Sequence, residues 1–296
     1  MADEWDELRE CGIEIEAHTY EAFLLRPKQN GVAFRIDTTL IDHGYFLHGS
    51  KRSGKVTKPI TWKHGEGALS ELWTVIPDAE LGFPMIVEKK VLRALEMMVT
   101  EYIDAFGSVP QYLPFKIKTL TEMVIGKNHE VGGKDVTAVR QALERLHKTV
   151  IRVEKNGGEM SEFRVIEQLV VSESSNSKAE DISAYHLVVF GDFFMKSMEK
   201  CEMEHKSQDY RTVAGLFPIA LALYEKFELD FSRTDADFLE YDYVALCEYL
   251  GIATHSSFST ASKSYVKILI LLKQMKKISK WRMDSATFKI TVNRPE

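Results

Sequence analysis

Three groupings in this chain hold residue types that could do chemistry. GSKRSGK (49–55) has the GxxxxGK spacing of a loop that cradles nucleotide phosphates. The rest of that motif is missing. Val56 stands where a Ser or Thr hydroxyl would hold magnesium, KPITW follows in place of a helix, and the interior is basic rather than small. Cys201 and His205 stand one helical turn apart beside Glu199, Glu202 and Glu204, but no second pair of soft ligands accompanies them. They read as incidental residues of a surface helix. Asp230, Asp235, Asp237, Glu240 and Asp242 do not fit a calcium-loop register, and some of them read as caps of turns and of a helix at 242–250. No His-x-His pair of the kind used by DNA-nicking enzymes occurs. The reading is of a non-enzymatic protein with no metal and no cofactor.

The side chains that remain are those that recognise DNA. Arg140 can fork to guanine and Gln141 to adenine, each such pair giving ~1–3 kcal/mol of discrimination. Lys134 and Thr137 lie on or near the same helical face. A surface ion pair with Glu144 is the alternative use of Arg140. Further along, Ser257, Thr260, Lys263 and Ser264 form a hydroxyl-rich helix start, small enough to enter between phosphate ridges. Lys51, Arg52, Lys55, Arg152, Lys155, Arg164, Lys267, Lys280, Arg282 and Lys289 are expected to hold backbone phosphates.

Two stretches of identical layout position these groups. The first is LPFKIKTLTEMVI (113–125), KDVTAVRQALERLHKT (134–149) and VIRVEKNGGEMSEFRVIEQL (150–169). The second is EYDYVALCEYLGI (240–252), SSFSTASKSYVKILILLKQMKK (256–277) and ISKWRMDSATFKITVN (278–293). Each reads as a helix, a turn, a longer helix and two strands joined by a polar turn, which is the order of a winged helix-turn-helix. Ile117, Leu120, Met123 and Val124, then Val136, Val139, Leu143 and Leu146, are the expected inward positions of the first copy. Val244, Leu246, Cys247 and Leu250 play that part in the second. Asn156-Gly157 is a hairpin-turn signal. Upstream, VAFRI (32–36) and LWTVI (72–76) read as strands and 87–106 as a long helix.

The fold class expected is α+β, two tandem winged helix-turn-helix domains. The divisions are an acidic arm at 1–30, a first domain at 31–171, a linker at 172–182 (from SESSNSKAED) and a second domain at 183–296 opening on the strand YHLVVF. The net charge is −6, yet residues 263–294 carry nine Lys or Arg against Asp284 alone, and residues 116–155 carry nine against five acids. Positive charge therefore gathers on the two repeats. Three separated cysteines make no disulfide framework and point to a reducing, cytoplasmic setting. The apolar runs are too short and interrupted for a membrane.

On these residues the chain resembles the plasmid replication initiators built from two winged helices, closest to replication initiator protein A. The likeness spans most of 31–293. It runs through ITWKHGEG (60–67), LGFPMIVEKKVLRAL (81–95) and DVTAVRQALERLHKTVIRV (135–153). It continues in VVFGDFFMKSMEK (188–200) and DYRTVAGLFPIALALYEKFEL (209–229). The family often has an arginine-rich helix after its leucine-tyrosine element, whereas here Leu223-Tyr224 is followed by Glu225-Lys226-Phe227. The resemblance implies a protein that binds repeated double-stranded sites at a plasmid or phage origin, helps melt DNA, recruits the host initiator and helicase machinery, and acts as a homodimer in autorepression. A transcriptional regulator without origin activity, or a protein-binding scaffold, are the alternatives.

Overall fold

The computed structural model describes residues 33–48, 56–64, 70–125, 130–155, 158–170, 185–201, 203–206, 218–250 and 258–295. The acidic arm, the loop bearing Lys51, Arg52 and Lys55, the turn Asn156-Gly157, the linker at 172–182 and Ser257 lie outside these residues. In chain order the elements are β1 (Ala33–Arg35), α1 (Thr38–Asp42), β2 (Ile60–His64), β3 (Glu71–Ile76), α2 (Ile86–Phe106), β4 (Tyr112–Lys116), α3 (Ile117–Ile125) and α4 (Gly133–Lys148). Then come β5 (Val150–Lys155), β6 (Met160–Phe163), β7 (Ile166–Val170), β8 (Tyr185–Phe190), α5 (Asp192–Lys200), β9 (Glu204–Lys206) and α6 (Pro218–Ser232). The chain finishes with β10 (Phe238–Asp242), α7 (Tyr243–Leu250), α8 (Phe258–Gln274), β11 (Trp281–Asp284) and β12 (Lys289–Asn293). This is a mixed α+β fold.

The repeated layout is present, with one addition in each copy. A strand precedes the first helix: β4 occupies 112–116, read from sequence as helix, and β10 does the same before α7. Pro114 has no N–H to give a helix, and in β4 it pairs opposite Leu187. The copies then use these strands differently. β10 closes onto its own hairpin in a β10-β12-β11 sheet, whereas β4 leaves its hairpin and joins β8 and β7. The first hairpin instead extends an antiparallel sheet of order β2-β3-β5-β6, and β1 pairs with β9.

Two apolar cores follow. The first gathers Leu92, Leu95, Leu113, Phe115, Leu120, Val139, Leu143, Leu146, Ile151 and Phe190. The second gathers Leu223, Phe227, Leu246, Cys247, Tyr265, Leu269, Leu272, Ile290 and Val292. The run YHLVVF, expected to open the second unit, forms strand β8. It is the middle strand between β4 and β7, and Phe194 and Met198 of α5 pack into the first core. Val244 is a correction, since it is exposed while Tyr243 takes the inward place.

Helix α2 is enclosed on almost every side, burying Val91, Leu92, Leu95 and Val99 along with Glu88, Lys89, Arg93 and Glu96. Its end is set by Gly107, whose φ of 79° suits the left-handed cap and whose N–H reaches the Ile103 carbonyl at 2.7 Å. Met97 of α2 lies in the second core, and Met123 of α3 touches both. Among the described residues, no helix is long and apolar enough to cross a membrane.

Candidate nucleic-acid interface

Helix α4 begins where Asp135 accepts the Gly132 N–H at 3.0 Å, placing a carboxylate at the positive end of the helix dipole. Val139, Ala142, Leu143 and Leu146 then turn inward. The opposite face carries Lys134, Thr137, Arg140 and Gln141, all exposed, so the structure brings the four expected base-reading residues of the first copy together. Thr137 donates its hydroxyl proton to the Gly133 carbonyl at 2.9 Å, which leaves its oxygen lone pairs facing outward as acceptors. Glu144, the alternative partner of Arg140, is instead held by Lys148 at 2.8 Å.

The charge of Arg140 acts on His186 of β8. That imidazole is 2% exposed, and neither ring nitrogen has a hydrogen-bond partner. Burial first, and the Arg140 charge second, lower its pKa to about 4. The imidazole is neutral at physiological pH and adds no second positive charge to that of Arg140.

Helix α8 packs through Tyr265, Ile268, Leu269 and Leu272. The Tyr265 hydroxyl sits 3.6 Å from the Cys247 sulfur, and Cys247 is a core residue as expected. Lys263 and Lys267 are exposed on the outer face. Thr260 and Ser264 fall within α8, with their side chains outside the described set. Ile270 continues the lysine face one turn on and is exposed. The helix ends in a Schellman turn. Lys277 N–H reaches the Leu272 carbonyl at 2.8 Å, Lys276 N–H reaches that of Lys273 at 2.9 Å, and Lys276 takes a φ of 56°.

The strand cations divide into paired and unpaired. Arg152 is clamped by Glu162 across the β5–β6 pair at 2.7 Å, and Lys289 is paired with Glu240. Arg282 has only a long contact to Asp284 at 3.7 Å and is 79% exposed. Arg164 is half-buried, with its backbone N–H donated to Glu167. Among the described residues, Lys134, Arg140, Lys155, Lys263, Lys267 and Lys280 are exposed and form no ion pair. Of the cations expected to meet DNA, these are free to meet phosphate or base. Arg152 and Lys289 would first have to leave a carboxylate.

His205 corrects an expectation. It was read as incidental on a surface helix, but α5 stops at Lys200, and His205 is fully buried on β9 with its ring stacked on Tyr224 at 4.7 Å. Of the acidic run, Asp242 caps α7 as expected by accepting the Ala245 N–H at 2.9 Å, whereas Asp230 accepts from the Tyr241 hydroxyl at 2.7 Å and Glu240 pairs with Lys289. Among the described residues, no group of three or more His, Cys, Asp or Glu could hold a metal.

The sequence reading missed Arg145, His186 and the enclosed charges of α2. For α2 a signal existed. Lys89, Arg93 and Glu96 recur at helical spacing on the stripe that also holds Leu92, and charges on an inward face must find partners.

No family model matches the chain, and no curated protein matches it. Among the solved structures that share its fold are two of RctB. One, a selenomethionine derivative of domains 2 and 3 of RctB, superposes with a TM-score of 0.56 at 13% identity, covering 88% of this chain and 98% of that one. Another structure of RctB domains 2–3 gives 0.53 at 12% identity, covering 86% and 96%. The likeness in fold therefore extends over most of this chain.

Proposed function

We propose that this chain is a sequence-specific double-stranded DNA-binding protein with two tandem winged helices, α4 and α8 being the helices that enter the major groove. The observation that carries the reading is the pair of unneutralised basic faces, Lys134 and Arg140 on α4 and Lys263 and Lys267 on α8, each on the outer side of the second helix of a helix–helix–hairpin unit. Lys134, Thr137, Arg140 and Gln141 read bases in the first unit. Ser257, Thr260, Lys263 and Ser264 do so in the second. Lys155, Lys267, Lys280 and Arg282 hold phosphates, Arg164 contributes from its half-buried place, and Lys51, Arg52 and Lys55 add a basic loop. The division between units falls after α5, since β8 and α5 pack with the first core.

We infer further that the protein initiates replication at a plasmid or phage origin and represses its own gene. The resemblance to replication initiator protein A supports this, as does the two-unit fold shared with RctB domains 2–3. The partners would be repeated duplex sites, host initiator and helicase machinery, and a second copy in autorepression. The setting would be the cytoplasm.

Footprinting over DNA flanking the gene, joined to a transformation test for autonomous replication, decides between roles. Protected direct repeats that sustain replication support an initiator. A single protected palindrome over a promoter, with no replication, supports a regulator. Duplex binding unchanged by Arg140→Ala with Lys263→Ala would overturn the assignment of α4 and α8.

A further inference from the structure

The enclosed charges between the two units form a connected path, and its ends reach both reading helices. At one end Arg145, on the last turn of α4, is paired with Glu88 at the start of α2. One residue on, Lys89 reaches Glu225 of α6 at 2.5 Å. Arg93, one turn further, grips the same carboxylate with Nε at 2.8 Å and Nη2 at 3.3 Å, and its Nη1 lies 2.6 Å from both oxygens of Glu96. Glu96 accepts the Asp37 N–H at 2.9 Å, and Asp37 accepts the Ser197 hydroxyl of α5 at 2.7 Å. Beyond Glu225, His205 lies 4.0 Å away and contacts Glu228 at 2.8 Å. Glu228 ends the path on Lys277, at 2.9 Å, just past the last turn of α8.

We infer that this path, centred on Arg93 and Glu225, is a rigid joint that fixes the α4 and α8 faces relative to each other, and so makes the protein a reader of the spacing between two DNA contacts. The DNA half of this inference rests on the function proposed above; the joint itself does not. Arg93, Glu96 and Glu225 are fully enclosed and Lys89 nearly so. Apolar side chains between two helices can slide past one another with small losses. A two-pronged guanidinium–carboxylate grip cannot, because it fixes angle as well as distance. Any slip would leave a charge in a dry interior without its partner. Burial by itself would raise the Glu225 carboxyl, but Arg93 and Lys89 outweigh it and hold the group ionised well below the usual carboxylate range. No comparable charge is needed to fill the space, since Leu221, Leu223 and Phe227 already supply apolar packing on α6.

The test uses the full chain with Cys11 and Cys201 changed to Ser, and spin labels placed at Lys148→Cys on α4 and Lys273→Cys on α8. Both sites are exposed. Pulsed electron–electron distance measurement should give one narrow distribution. Glu225→Gln should broaden or shift it. Should that variant not fold, Arg93→Met with Glu225→Leu decides, because it removes the central cation and anion together and leaves Glu96 the Asp37 N–H and Lys89 the Phe46 ring as contacts. A folded double variant with the narrow distribution of the parent would overturn the joint. A second arm measures affinity for the footprinted duplex and for the same duplex with about five base pairs, half a helical turn, inserted at its centre. The parent should lose about ten-fold on insertion, and the double variant less than about three-fold. Equal losses would overturn the spacing role. A parent that binds no duplex would overturn the DNA reading instead, with the distance measurement still deciding the joint.

Discussion

Arg145 donates its Nε–H to the carbonyl oxygen of Leu81 at 2.9 Å, so the last turn of α4 is tied to the loop that leads into α2. The same guanidinium pairs with Glu88, which is 2% exposed and also accepts the Met85 N–H at 2.7 Å. Arg145→Met would leave that carboxylate enclosed without a cation. We expect a loss of about 2–3 kcal/mol, read by urea denaturation. Adding Glu88→Gln, which can still accept from Met85, should restore more than half. A single variant within experimental error of the parent would show that α4 is held by its apolar face alone.

Paired and unpaired cations should behave differently toward DNA. Lys263→Ala and Lys267→Ala each remove an unpaired surface cation, and each should flatten the plot of log affinity against log salt by about one unit. Lys289 is paired with Glu240, so Lys289→Ala should flatten it by less than half as much. Glu240→Ala frees Lys289 and should tighten binding. Equal slopes for Lys263→Ala and Lys289→Ala would remove the distinction.

What could be read from the sequence followed local periodicity. The stripe Val139, Leu143, Leu146 put the correct face of α4 inward, and its complement, Lys134 to Gln141, is the exposed face in the structure. Cys247 lies in the core for the same reason. What could not be read depended on partners far along the chain. Tyr185–Phe190 is an apolar run after a polar linker, and only its pairing with Tyr112–Lys116 assigns it to the first core. The charges of α2 were visible, but Glu225, their partner, is 132 residues from Arg93. Leu113 to Lys116 resembled a helix start because its apolar residues continue into the true helix at Ile117.

His186 gives a pH signature that belongs to the fold. Its pKa falls from 6.5 to about 4 on folding, so between those values the unfolded chain binds a proton that the folded chain refuses. Stability should therefore decline as pH drops from 6.5 toward 4. Glu96 acts in the opposite sense. Burial lifts it from 4.5 to about 7 against the pull of Arg93, so its contribution is present below 4.5 and is lost as pH rises through 7. The two can be separated by difference. His186→Phe keeps an aromatic ring against Phe115, whose centroid lies 5.6 Å away. The gap in stability between variant and parent should widen in favour of the variant as pH falls from 6.5 to 4. A constant gap across that range would mean the imidazole is protonated in the folded protein.

Two glycines should respond to the same substitution with opposite sign. Gly191 caps α5 and donates its N–H to the Val165 carbonyl at 3.1 Å. A Cβ there would stand 2.3 Å from the Arg164 carbonyl oxygen, a backbone atom that cannot swing aside. Gly191→Ala should lower stability by about 2 kcal/mol, as overpacking does, and loosen α5 from the β7–β8 corner. Gly133 opens α4, and a Cβ on it would meet nothing within 4 Å. Gly133→Ala should raise stability by ~0.4–1 kcal/mol, because the unfolded chain loses freedom that the folded helix never used. Thermal melts of the two variants, with protection of the Met195 amide to exchange as a local probe, would show the contrast. Gly191→Ala melting with the parent would mean that α5 does not sit against β7 as described, and the assignment of β8 and α5 to the first core would fall with it.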